Sequence, residues 1–247
     1  MKNFKTIVLG SMLAIIAISP IARVNAEVKV EKTEKTVKAN APVKIADRKA
    51  KADQEIDRRI EALNQLVTRI NQMKKVPTEG KASLATKAQE NITVLTTLKA
   101  KIDADTDLAT LKTDVKSIAK SYRIFMLILP QIHMVAAADR VSTTVDQLNV
   151  VASKLNIRIA TAGDKGTAFT TQLADMNAKI TEAQTKAQDA INTVMTLVPD
   201  NGVEAQMTSN KKALEDAKAM IETASADVRD ASSIAKTINT GLKAVGY

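Results

Sequence analysis

Between residues 56 and 245, apolar side chains recur at alternating steps of three and four positions, and this spacing restricts what the chain can fold into. Two clear examples run from Ile56 to Ile70 and from Leu214 to Val245. Steps that average about 3.5 residues are typical of helices that bury one narrow stripe against other helices. We therefore predict an all-α fold: an elongated antiparallel bundle of about six long helices with coiled-coil-like contacts.

Interruptions of the apolar pattern divide this bundle into helices. They fall at Pro77, at residues 105–107, at Pro130, at residues 163–166 and at residues 198–202. Ser83 and Asp107 can cap the helices that follow them, and Pro130 either kinks a helix or begins the fourth one. We expect two units, with three helices in residues 45–130 and three longer helices in residues 131–247.

The last two helices carry alanine at many of their apolar positions, and small side chains let helix axes approach closely. We expect these two helices to form the tightest pair. Two short sequences occur twice, Ala-Asp-Arg at residues 46–48 and 138–140, and Ser-Ile-Ala-Lys at residues 117–120 and 233–236. They suggest a duplication of the two units, although chance matches in an alanine-rich chain remain the alternative.

Residues 1–26 have the pattern of a signal peptide. Lys2 and Lys5 precede an apolar stretch over residues 7–18, and Ala26 precedes a predicted cleavage site. The apolar stretch is shorter than the roughly 20 residues that cross a bilayer as a helix. We predict an exported protein that is soluble after cleavage, in the periplasm, at the cell envelope or outside the cell.

Residues 27–44 are polar and of low complexity, which predicts a disordered basic arm. The arm also accounts for much of the net charge of +9, because residues 27–51 hold eight basic and four acidic side chains. From residue 52 onward there are 25 basic and 23 acidic side chains, so the helical body is nearly neutral. A nucleic-acid binder concentrates lysine and arginine on one face, and we expect no nucleic-acid partner.

The composition argues against enzymatic chemistry. The chain has no cysteine and one histidine, His133, so thiol chemistry and sites with several histidines are excluded. No nucleophile can be paired with a base, and we interpret His133 as a structural or surface residue. We therefore expect no catalytic, cofactor-binding or metal-binding residues, no cofactor and no small-molecule substrate.

The strongest chemical motif comprises Asp103, Asp105, Asp107 and Asp114, which match positions 1, 3, 5 and 12 of a calcium-binding loop. However, Leu108 stands where that loop requires glycine, and the last ligand is aspartate rather than glutamate. We favour a helix-capping role for these acidic residues, with calcium binding as the alternative.

Residues 122–130, from Tyr122 to Pro130, form the most apolar segment after the signal peptide. Their seven apolar side chains cannot all face one narrow stripe. We expect burial where the two units meet, with Phe125 inside this junction. The alternative is an exposed docking surface.

Four segments of the chain resemble a group of uncharacterised exported helical proteins from uncultured candidate-phylum bacteria. They are residues 46–60 (ADRKAKADQEIDRRI), 117–131 (SIAKSYRIFMLILPQ), 135–140 (VAAADR) and 197–201 (LVPDN). The resemblance implies a bacterial origin and implies no activity, ligand or site residue.

Together these features predict an exported, non-enzymatic helical bundle with a scaffold or protein-interaction role, whose partner is an unidentified protein. The alternative is a peripheral binder of anionic membrane surfaces or acidic envelope polymers, which would make weak contact through residues 27–51.

Overall fold

The structure, a computed structural model, describes the backbone from Pro20 to Tyr247 and the side chains of residues 42–119 and 125–247. Over this part the chain forms five α-helices that pack against one another, which confirms the predicted all-α bundle. The helices are α1 (Pro20–Gln72), α2 (Thr78–Ala104), α3 (Leu108–Thr161), α4 (Thr170–Met195) and α5 (Glu204–Ala244). Two 3₁₀ turns, Gly163–Lys165 and Thr167–Phe169, join α3 to α4.

The predicted third and fourth helices are a single helix, because α3 continues through Pro130. Its 54 residues span about 80 Å at 1.5 Å per residue. A proline inside a helix costs about 3 kcal/mol, since it removes a hydrogen bond and crowds the preceding turn. Burial on several faces of α3 offsets this cost. The buried neighbours of the proline are Leu127, Ile128, Gln131, Ile132 and Val135.

Because α3 is long, it packs in two groups of three helices, with α1 and α2 along its first half and with α4 and α5 along its second half. Its first half lies beside α1, where an Arg59 guanidinium nitrogen donates to the carbonyl of Ile118 at 2.9 Å. Its second half packs against α4 and α5, and the buried Gln131 amide donates to the carbonyl of Val194 at 2.6 Å. The predicted units, residues 45–130 and 131–247, are therefore not separate. The chain divides instead between Asp47 and Arg48, and Arg48–Tyr247 is one compact unit.

The predicted disordered arm, residues 27–44, lies within α1 in the structure. The segment has no glycine and is rich in lysine, glutamate and alanine, which favour helix. It also places Glu31 before Lys35 and Glu34 before Lys38 at the four-residue spacing that supports a helix. Of the predicted signal peptide, residues 1–19 lie outside the described residues.

The small-residue pairing of α4 and α5 is confirmed, since it is the most extensive of the pairings among α2 to α5. The alanines at the predicted positions are fully buried: Ala183, Ala187, Ala190, Ala217, Ala224 and Ala231. Gly241 of α5 allows a still closer approach at one end of this pair. A Cβ atom added there would lie 2.3 Å from Cε1 of Phe169. The phenylalanine ring therefore occupies the space that a side chain at residue 241 would need.

Two buried carboxylates, each paired with a lysine, hold adjacent helices together. Lys101 of α2 donates to Asp114 of α3 at 2.8 Å, and Lys179 of α4 donates to Asp227 of α5 at 2.7 Å. The hydrogen bond to the carboxylate raises the pKa of each lysine, so the positive charge on the lysine is favoured in the folded protein.

The turn between α1 and α2 is fixed by Asp139 of α3. The buried Asp139 carboxylate accepts hydrogen bonds from the backbone N–H groups of Lys75 at 2.5 Å and Val76 at 3.2 Å. The side chain of Lys75 is ion-paired with Asp146, one to two turns further along α3. The end of α1 is therefore anchored to the middle of α3.

Within the part of the chain that the structure describes, no helix is long and apolar enough to cross a bilayer.

Candidate functional site

A second stripe with steps of three and four runs along α3. Its members are Met126, Pro130, His133, Ala137, Arg140, Thr144, Leu148, Val151, Leu155 and Arg158. Seven of these ten residues line cavities between α3 and α5, and His133, Ala137 and Arg140 do not. Eight of the ten are at least partly exposed, whereas Leu148 and Leu155 are buried and belong also to the packed stripe that begins at Val141. Three successive cavities lie between this side of α3 and α5. We call them together the α3–α5 furrow.

The first cavity is apolar and has a volume of about 610 Å³. Its apolar lining residues are Met126, Leu127, Pro130 and Met134 of α3 and Met207 and Leu214 of α5. Met126 is 50% exposed and Met207 is 45% exposed, so the cavity opens to solvent. Methionine is flexible and polarisable, and surfaces rich in it adapt to apolar partners. The volume lies in the range of about 300–1,000 Å³ that ligand-binding cavities occupy.

The second and third cavities, of about 550 and 390 Å³, share an apolar floor and a cationic edge. Leu148 and Leu155 contribute to the floor. The charged residues of both linings are all basic: Lys154, Arg158, Arg229 and Lys236. The Arg158 guanidinium donates to Asn239 Oδ1 at 2.5 Å and to the main-chain oxygen of Tyr247 at 2.6 Å, so these two acceptors position it.

The positive charge of the furrow is not cancelled by its acidic residues. The first cavity is bordered by Lys211 and Lys218 together with Asp200 and Glu215. Lys211 and Glu215 form an exposed pair at 3.8 Å. By contrast, none of the ion pairs found among the described residues includes Lys154, Arg229 or Lys236. The furrow therefore combines an apolar end with a cationic continuation.

His133 lies on the same stripe, between the first and second cavities, and contacts α1. Nη1 of Arg69 lies 2.7 Å from Nδ1 of His133, so the imidazole accepts a hydrogen bond from the guanidinium at that nitrogen. Burial lowers the pKa of His133, and the positive charges of Arg69 and Arg140 lower it further. His133 thus has a hydrogen-bonded structural role between α1 and α3, and a second, uncompensated cationic group stands nearby at Arg140.

The acidic residues around the α2–α3 turn have separate roles. Oδ2 of Asp107 accepts hydrogen bonds from the backbone N–H groups of Ala109 and Thr110, both at 2.9 Å, so the capping prediction for Asp107 is confirmed. These hydrogen bonds lower the pKa of Asp107. Asp114, the twelfth position of the predicted calcium loop, is buried and paired with Lys101. No three acidic, histidine or cysteine side chains of the described residues are arranged to hold a metal ion.

The apolar segment over residues 122–130 is only partly buried. The side chains of residues 120–124, including Tyr122, lie outside the described residues. Leu127 and Ile128 are buried, whereas Phe125 is half-buried and Met126 is exposed. Burial of α3 is more complete after this segment, where Gln131 contacts α4 and Asp139 contacts the turn that follows α1. The exposed part of the segment forms the apolar end of the furrow.

Comparison of the chain with protein-family models, with curated proteins and with solved structures finds no match. The resemblance to exported bacterial proteins therefore stays a prediction.

Proposed function

We propose that the protein is an exported, non-enzymatic scaffold that binds an amphipathic helix of a partner protein in the α3–α5 furrow. The observation that supports this most directly is the exposed apolar cavity formed by Met126, Met134, Met207 and their neighbours. Two helices with an open apolar groove between them are a common receptor for a third helix.

The spacing of the furrow residues supports a helix as the bound element. The exposed stripe on α3 repeats every three or four residues, which is the spacing at which a packed helix places its own anchors. From Met126 to Arg158 the stripe covers 32 residue steps, or roughly 48 Å of helix. Apolar anchors of a partner helix would fill the first cavity and continue along Val151, which is 38% exposed and lines the second and third cavities.

The test uses one furrow variant and one matched control. Met207→Glu places a charge in the first cavity, while Val150→Glu places the same charge at an exposed valine, 55% accessible, that lines no cavity of the furrow. Residues 27–247 and both variants are used to capture partners from the envelope fraction and culture fluid of the native host. We expect one helical partner to be retained by the control and lost with Met207→Glu. Identical captured proteins for all three chains would refute the proposal.

The predicted alternative is tested in the same preparation. Residues 27–51 would contact anionic lipid, so co-sedimentation with vesicles of phosphatidylglycerol is compared for chains with and without residues 27–44. Vesicle binding that requires residues 27–44, combined with no effect of Met207→Glu on any captured protein, would favour the membrane-surface function. Export itself is tested by mass spectrometry, which should find Glu27 at the N-terminus of the exported form.

A further inference from the structure

The charged residues of the α3–α5 furrow specify the chemistry of what binds there. In the second and third cavities, Lys154, Arg229 and Lys236 border an apolar floor and have no acidic neighbour in either lining. An uncharged or basic helix would leave these cations without compensation when it covers them.

We propose that the helix bound in the furrow is acidic, with apolar anchors that fill the cavities and carboxylates that pair with Lys154, Arg229 and Lys236. This proposal rests on the proposed function, because it requires that a helix occupies the furrow. It adds the charge of the partner and the residues that select it.

The two ends of the furrow contribute differently to the selection of a partner. At the first cavity, Lys218 is paired with Glu222 at 3.7 Å and Lys211 with Glu215. This end is therefore nearly neutral and selects a partner through shape and apolar contact. Further along, the cations of both walls are unpaired and discriminate through charge. A partner helix is therefore expected to be more apolar at the end that fills the methionine cavity and more acidic over the rest of its length.

The sequence conceals this charge separation. From residue 52 onward the basic and acidic side chains nearly balance, with 25 and 23 respectively. Asp114 and Asp227 are buried in pairs with Lys101 and Lys179, and each pair is neutral. Asp139 is buried against the uncharged main chain of the turn between α1 and α2, so its negative charge lies away from the furrow, whose linings it does not enter.

The test uses three synthetic 28-residue peptides that share one heptad pattern, with leucine at the first position and alanine at the fourth. They carry glutamate, glutamine or lysine at the two positions that flank this stripe, and the repeat presents the same charges in either orientation. Fluorescence anisotropy of each labelled peptide gives its affinity for residues 27–247. We expect the glutamate peptide to bind about tenfold more tightly than the glutamine peptide in low salt, and the lysine peptide not to bind. The glutamate advantage should shrink in high salt, because the contacts are exposed to solvent.

Two double variants with the same change in net charge separate selection by the furrow from attraction to the protein as a whole. Arg229→Gln with Lys236→Gln should abolish the glutamate advantage. Lys74→Gln with Lys112→Gln, which removes two exposed lysines outside the furrow linings, should preserve it. Circular dichroism of both double variants confirms that the helical fold is retained.

The possible outcomes distinguish this proposal from the proposed function. Equal affinity for the glutamate and glutamine peptides, with both weakened by Met207→Glu, would overturn the acidic partner and leave helix binding in place. Binding of no peptide would overturn both proposals. Binding to phosphatidylglycerol vesicles that is lost with Arg229→Gln and Lys236→Gln, in the absence of peptide binding, would assign the cations to a membrane surface instead.

Discussion

Asp139→Ala provides a strong test of how the two three-helix arrangements are joined. The Asp139 carboxylate is buried, and its Oδ1 accepts from the N–H groups of Lys75 and Val76. A hydrogen bond to a charged group contributes about 1.5–3 kcal/mol, and a buried N–H that loses its acceptor incurs a desolvation cost. Because two such bonds are lost together, Asp139→Ala should lower the free energy of unfolding by about 3–5 kcal/mol.

Two further variants of this contact isolate the cause. Asp139→Asn keeps an oxygen acceptor in the same place and loses only the charge, so it should cost about 1–2 kcal/mol. Asp146→Ala removes the exposed ion pair with the Lys75 side chain and should cost less than about 1 kcal/mol. Asp139→Ala and Asp146→Ala thus compare two contacts of Lys75 with α3, one made by its main-chain N–H group and one made by its side chain.

Urea unfolding followed by circular dichroism measures all three variants, with the slopes matched between them. For a unit of this size, about 3 kcal/mol corresponds to a fall in melting temperature of roughly 6–12 °C. An Asp139→Ala protein within about 1 kcal/mol of the parent would refute the anchoring role. So would an Asp146→Ala protein that loses as much stability as Asp139→Ala.

Four other substitutions test the packing and the electrostatics. Ile132→Ala, at a fully buried position, should cost about 2–5 kcal/mol, and Phe125→Ala, at a half-buried position, should cost less than that; the reverse order in urea unfolding would place the junction about two turns earlier in α3. Gly241→Ala should destabilise by about 1–2 kcal/mol through its clash with Phe169, although alanine is the better helix former; a stabilised protein would show that the contact is absent. Burial and the nearby arginines lower the pKa of His133 in the folded protein from its ordinary value of 6.5. As the pH falls, the unfolded chain therefore binds a proton at His133 before the folded protein does, and the free energy of unfolding should decrease below about pH 6.5. Urea unfolding at pH 8 and at pH 5.5 should show this decrease for the parent protein, and His133→Gln should remove the contribution of His133.

The helix pattern was readable from the sequence because each buried stripe is local. In the second half of α3 the apolar residues predicted to face inward, from Val141 to Ile159, are all buried. Asp107 was predictable as a cap because it directly precedes a helix and its side chain reaches N–H groups two and three residues ahead. Ser83 was not a cap, because α2 begins earlier, at Thr78. Its predicted position assumed a longer turn after Pro77.

The continuity of α3 was not readable from the sequence, because it depends on contacts between distant segments. Locally, Pro130 predicts a kink or a new helix. What decides the outcome is the packing of the residues around it, and Gln131 alone joins the helix to Val194, 63 positions away. Sequence spacing also gives no sign that Asp139 accepts from Lys75 and Val76, so the boundary between the predicted units was drawn through the middle of one helix.

The candidate site was hidden for a related reason, since it depends on which of two stripes on α3 is left uncovered. The residues from Met126 to Arg158 repeat at steps of three and four, as a buried stripe does, and they are mostly apolar with two arginines, Arg140 and Arg158. A stripe of this kind on a helix already packed through another face is a signal for a missing helix, and it can be sought in a sequence without a structure. The charge of that helix cannot be sought in the same way, because Arg229 and Lys236 come from α5 and are brought beside Lys154 only by the fold. Net charge near zero over the helical body is therefore compatible with strong selectivity for an acidic partner, provided that the balancing carboxylates lie elsewhere in the bundle.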